Sequence, residues 1–123
     1  MNTLPALDQD VFDELHEGVC GQSRSIASLY HTFLHNAERL IETLRATEAD
    51  AVREKTLHTL KGSAAMMGAA RVARLAAELQ EQCGTLDAEE LEDAAHRLDA
   101  ELSEMRQAVD ARLISLDEDS ARH

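Results

Sequence analysis

Between Ile26 and Leu44, apolar side chains recur at Ile26, Leu29, Tyr30, Phe33, Leu34, Ala37, Leu40, Ile41 and Leu44. This i, i+3, i+4, i+7 spacing persists for about five turns with no Gly or Pro to interrupt it, and only an α-helix gathers such a set onto one side. A stripe of that length must be buried against something. The rest of the chain supplies the same kind of partner. Phe12, Leu15 and Val19 predict a short helix over Asp8–Val19, with Gly21 breaking the chain and Ser23 capping the helix that follows to about Ala46. Thr47 with Asp50 resembles a capping box and predicts a third helix running through His58 to about Met67. After Gly68, Val72, Leu75, Ala76, Leu79 and Cys83 mark a fourth helix with Gly84 as its stop. Asp87 with Glu90 opens a fifth, whose stripe of Leu91, Ala95, Leu98, Leu102, Met105 and Val109 reaches about Leu116.

No alternation of period two competes with these helices. The expected fold is all-α: a single domain over residues 1–123, an antiparallel four-helix bundle with a short additional N-terminal helix, its core at about 7–116 and a polar, frayed tail over 117–123. The composition agrees. The chain is 44% hydrophobic but only 2% aromatic, so the core is made of aliphatic side chains and Met, and Pro5 is its one proline.

The formal net charge is −12, which disfavours nucleic acid and anionic membranes as partners. Charge is uneven along the chain. From Arg45 to Arg74 six basic residues face three acidic ones, whereas from Gly84 to His123 twelve acidic residues outnumber four basic ones. The middle of the chain is thus a basic island suited to an anion or an acidic partner. Cys20 and Cys83 form no disulfide framework, the N-terminus shows no signal peptide, and no apolar run reaches the roughly 20 residues of a membrane span, so a cytoplasmic protein is expected.

Six histidines are the candidate chemistry. His16, His96 and His123 read as solvated surface side chains. His31 and His35, at i, i+4, have the spacing to clamp a metal but show no third ligand, so no metal site is assigned. A di-metal bundle enzyme would want Glu-x-x-His on two helices, and only Asp13-x-x-His16 and Asp93-x-x-His96 occur. His58 is different in its company. Lys61, Gly62 and Ala65 follow it at three, four and seven residues, on the face away from the apolar stripe of Leu57, Leu60, Ala64 and Met67. Imidazole is a nucleophile near neutral pH and a competent leaving group afterwards, and an ammonium one turn away can screen a phosphoryl group on it. Gly62 costs about 1 kcal/mol in a helix interior relative to Ala, a cost that close approach by another surface would explain.

The run His58-Thr-Leu-Lys-Gly-Ser-Ala-Ala-Met-Met-Gly-Ala69 resembles the signature of histidine-phosphotransfer (HPt) domains, and the resemblance extends over about Leu7–Leu116. It implies that His58 is phosphorylated through Nε2, that Lys61 contacts the phosphoryl group, and that Gly62 and Ala65 leave access for a partner. A glutamine at the position of Gln80 orients the imidazole in some members. The resemblance further implies a carrier without autokinase activity, working as a monomer between a hybrid sensor kinase and response-regulator receiver domains, with no cofactor of its own and Mg²⁺ on the receiver. The chain has no Gly-rich nucleotide loop, which agrees. Exposed apolar residues beside the motif, such as Leu15, Met66 or Ala69, are candidates for the docking contact, and Met66, Met67 and Met105 read as core filler rather than as a ligand set.

Overall fold

The computed structural model describes residues 3–121. It holds five α-helices: α1 (Gln9–Gly18), α2 (Ser23–Ala46), α3 (Asp50–Met66), α4 (Ala70–Gln82) and α5 (Ala88–Ala121). There is no strand among the described residues, and the all-α expectation holds. The pairings show the antiparallel order. Arg45, near the end of α2, reaches Glu92 and Asp99 early in α5, while Glu38 is paired with Arg106 further along. The tight turn at Met67–Ala69 folds α4 back along α3, and the Cys83 thiol donates to the Asp50 carbonyl at 3.6 Å, bringing the end of α4 to the start of α3.

Helix lengths set the shape. At about 1.5 Å per residue, α2 runs about 36 Å and α5 about 51 Å, against about 26 Å for α3 and about 20 Å for α4. The α2–α5 pair therefore extends past the turn joining α3 to α4, and α1 covers the overhang. Phe12 of α1 is fully buried and stacks on Tyr30 of α2 with ring centroids 5.3 Å apart. Arg112 of α5 lies 4.6 Å from the centre of the Phe12 ring and pairs with Asp13 at 2.7 Å. The Tyr30 hydroxyl donates to the Met67 carbonyl at 3.0 Å, tying α2 to the α3–α4 turn. The core is one largely aliphatic cluster, from Leu7 to Val109, that contains most of the side chains the periodicity marks and adds Leu7, Ala69 and Ala94.

Helix ends are where local chemistry departs from expectation. Asp8 caps α1 through hydrogen bonds from the amides of Asp10 and Val11. Asp87 and Glu90 form the expected reciprocal box at the start of α5. Ser23, however, is already helical, and Gln22 precedes it without a side-chain cap. Thr47 and Asp50 do not form a box: the Thr47 hydroxyl accepts from the Ala49 amide and Asp50 turns to Arg53, so α3 begins later than the pattern suggests. Gly84 is not the left-handed stop expected of it. The chain instead tightens into a 3₁₀ turn over Cys83–Thr85, where the Thr85 hydroxyl donates to the Gln82 carbonyl. The stretch from Asp117, expected to fray, is helical as far as Ala121, because no Gly or Pro stops α5 and Leu113 and Leu116 pack against the core. His123 lies outside the described residues.

Gly68 is a glycine that the fold requires for both its backbone and its packing. Its φ is +75°, and its carbonyl accepts from the Asp8 amide at 2.7 Å. A Cβ there would lie 2.9 Å from Val11 Cβ and 3.2 Å from the Asp8 carbonyl oxygen. The sharp α3–α4 turn and the seat for α1 both depend on the missing side chain.

Candidate functional site

Helix α3 buries a narrow stripe, Leu57, Leu60 and Ala64, together with Thr56, whose hydroxyl is satisfied by the Val52 carbonyl at 2.7 Å. At 100° per residue, His58 falls almost opposite that stripe. The side chain is exposed, as are Glu54, Lys55, Lys61, Gly62 and Ala65 around it. No side chain among the described residues is hydrogen-bonded or ion-paired to the imidazole, whereas His96 lies 3.8 Å from the Glu92 carboxylate. Nothing lies within 4 Å of where a Cβ on Gly62 would stand. One turn beyond His58, the helix therefore presents bare backbone to solvent.

Gln80 is half-buried on α4, the helix packed most closely along α3, and makes no hydrogen bond to the imidazole. The other histidines are dispersed. His31 and His35 are exposed on the outer face of α2. His16 is half-buried, its ring centroid 6.4 Å from that of Phe12. The pairs a di-metal enzyme would use are not assembled: Asp13 is engaged by Arg112, and no three His, Cys, Asp or Glu side chains converge on a metal-sized site among the described residues.

On the α2 side of the helix that carries His58, a trough between α2 and α3 runs past Thr59 and Ser63. Its upper stretch, about 540 Å³, lies where α3 ends, and its apolar walls are Val19, Leu29, Phe33, Met66 and Met67. Its lower stretch is more polar and runs past Arg39, Leu40, Thr43 and Thr59. Asn36 and Ser63 line both stretches, so the two are continuous. Met66 is 75% exposed and Leu29 40%, so this stretch presents apolar surface at the end of the motif. Two expectations need correcting. Ala69 is completely buried, because the turn after α3 folds inward at Gly68, and it cannot contact a partner. Met66 is not core filler, whereas Met105 is.

Residues 28–117 match the Hpt domain, which covers α2 through most of α5 and includes the whole His58 motif. The chain belongs to the Hpt family. Hpt domains are phosphocarriers that pass phosphoryl groups through histidine in two-component phosphorelays, working with receiver domains. No curated protein and no solved structure gives a significant match to this chain. Among the described residues no helix is long and apolar enough to cross a membrane.

The structure also changes how the basic island reads. Of its six cations, four are engaged: Arg45 with Glu92 and Asp99, Arg53 with Asp50, Arg71 with Glu101, and Arg74 with Glu78. Lys55 and Lys61 have no ion pair among the described residues, and they stand three residues before and three after His58. Sequence reasoning counted Lys55 only as charge, though its i−3 spacing was legible. Arg39 was missed altogether, because it reaches this side of the molecule from another helix.

Proposed function

We propose that this Hpt domain accepts a phosphoryl group on His58 Nε2 from the aspartyl phosphate of one receiver domain and passes it to the aspartate of another. The observation that carries this reading is the exposure of His58 opposite the core, with bare helix at Gly62 and a small side chain at Ala65 beside it. In the forward step Nε2 attacks phosphorus, the Nε2–P bond forms, and the P–O bond to the aspartyl carboxylate breaks with its electron pair left on that oxygen. The imidazole keeps its proton on Nδ1, where Gln80 can accept it in a hydrogen bond and hold Nε2 free. Lys61 offsets the negative charge gathered on the phosphoryl oxygens. Return transfer reverses each bond change.

A histidine, a cation and open space suffice for this chemistry only if the partner brings the rest. The divalent cation and the phosphorylatable aspartate belong to the receiver, and the phosphoryl group originates in a hybrid sensor kinase. The chain itself is a carrier without autokinase activity. The apolar upper trough, with Met66 and Leu29 at its edge, is the contact area on which a receiver would seat. The test is transfer from a phosphorylated receiver domain. A label that is stable in base and lost in acid, present on the wild type and absent from a folded His58→Gln protein, is the expected result. Wild-type levels of label on His58→Gln would refute the assignment.

A further inference from the structure

On a chain this acidic, cations are scarce, and most are consumed internally. Six arginines, Arg45, Arg53, Arg71, Arg74, Arg106 and Arg112, are paired with carboxylates. Among the described residues five cations are left without an ion pair, and three of these border the His58 face. Lys55 and Lys61 flank the histidine along α3, and Arg39 stands across the lower trough, whose α3 wall is Thr59 and Ser63. The carboxylate that shares this face of α3 is Glu54, at i−4, since Asp50 is held by Arg53.

We infer that Arg39 and Lys55 form a recognition rim that selects receiver domains bearing carboxylates around the mouth of their aspartate pocket. This rests on the phosphotransfer reading and adds to it what decides the partner. A pocket that holds Mg²⁺ and a reactive aspartate is itself built of carboxylates, so a receiver approaches with negative charge foremost. The overall −12 charge of this chain repels such a partner on average, and the repulsion is relieved where the three unpaired cations of the His58 face meet it. The rim therefore acts on encounter and orientation, whereas Lys61 acts on the phosphoryl group. Arg39 and Lys55 are positioned to favour carboxylates beyond the pocket itself, on the receiver surface that lies over the lower trough.

Electrostatic steering of this kind raises association rates and fades with salt. The test uses the whole chain, phosphorylated with phosphoramidate, and measures the second-order rate constant for transfer to a receiver domain in excess. The Arg39→Gln/Lys55→Gln protein is expected to transfer about tenfold more slowly at low ionic strength, with the gap closing by about half-molar salt. The charge-reversed Arg39→Glu/Lys55→Glu protein should be slower still and should be rescued by a receiver whose rim carboxylates are changed to Lys, a recovery that misfolding could not produce. Equal rates and equal salt slopes for the wild type and the Gln pair, or no rescue, would overturn the rim while leaving phosphotransfer intact. A wild type that takes no label on His58 and transfers to no receiver would overturn both readings.

Discussion

Gly62 offers a test in which stability and activity should move in opposite directions. It lies inside α3, four residues before the helix ends at Met66, with ordinary helical backbone and with nothing within 4 Å of its absent Cβ. No turn, close packing or unusual φ requires a glycine there. Ala at such a position recovers helix propensity and meets no neighbour, so Gly62→Ala should stabilise the fold by about 1 kcal/mol. For a domain of this size that is a rise in Tm of about 4 °C. Gly62→Gln should still gain about 0.5 kcal/mol, because Gln is a far better helix former than Gly. The same side chain would project beside His58, into the space a receiver must occupy. Transfer should then be slowed modestly by Ala and blocked by Gln, while urea midpoints rise in both and m values stay constant. Destabilisation by Ala would mean that the helix needs glycine for a structural reason. Wild-type transfer by Gly62→Gln would end the argument that bare helix is kept for access.

Other substitutions separate the fold from the chemistry. Lys61→Ala should leave stability within about 0.5 kcal/mol, as expected for an exposed side chain, and slow transfer about tenfold without abolishing it; an unchanged rate in quenched-flow transfer would remove Lys61 from the site. Gly68→Ala should destabilise by about 2–4 kcal/mol, combining the left-handed backbone penalty with the contact on Val11, and calorimetry showing a loss below about 0.5 kcal/mol would contradict the packing described here. Tyr30 is the chain's single tyrosine, and burial, reinforced by the charge of Asp8, pushes its hydroxyl up to about 12. Its stabilising effect is complete below the ordinary value near 10 and is lost as pH rises towards 12, because only the unfolded phenol ionises in that window. Phenolate absorbance reads this directly, and Tyr30→Phe should flatten the stability profile between those limits.

Much of this was legible because helical periodicity is a strong signal. The stripes on α2, α4 and α5 named the core, and the position of His58 opposite Leu57, Leu60 and Ala64 followed from a rotation of 100° per residue. The ends were harder to read. Thr47 and Asp50 have the residue types of a capping box, yet Arg53 competes for Asp50 and shifts the start of α3. Ala69 looked available because it follows the motif, but the left-handed turn at Gly68 sends it into the core. The overhang of α2 and α5, and the way α1 fills it through Phe12 and Arg112, depends on relative helix lengths that no single stripe encodes.

Charge was the least legible quantity, for a physical reason. A linear count finds a basic island from Arg45 to Arg74, but a cation matters to a partner only if nothing within the chain already holds it. Arg45, Arg71 and Arg74 are drawn to carboxylates on α4 and α5 and away from the His58 face. Folding thus converts a diffuse excess of positive charge into a small set of unpaired cations around one imidazole. The acidic C-terminal helix takes part in this sorting: its carboxylates engage Arg45 and Arg71, while its own Arg106 and Arg112 are held by Glu38 of α2 and Asp13 of α1, which leaves Arg39, Lys55 and Lys61 as the unpaired cations near His58. On a chain of net charge −12, an acidic partner is then favoured where three unpaired cations stand together, and that approach ends at the residue that carries the phosphoryl group in the proposed relay.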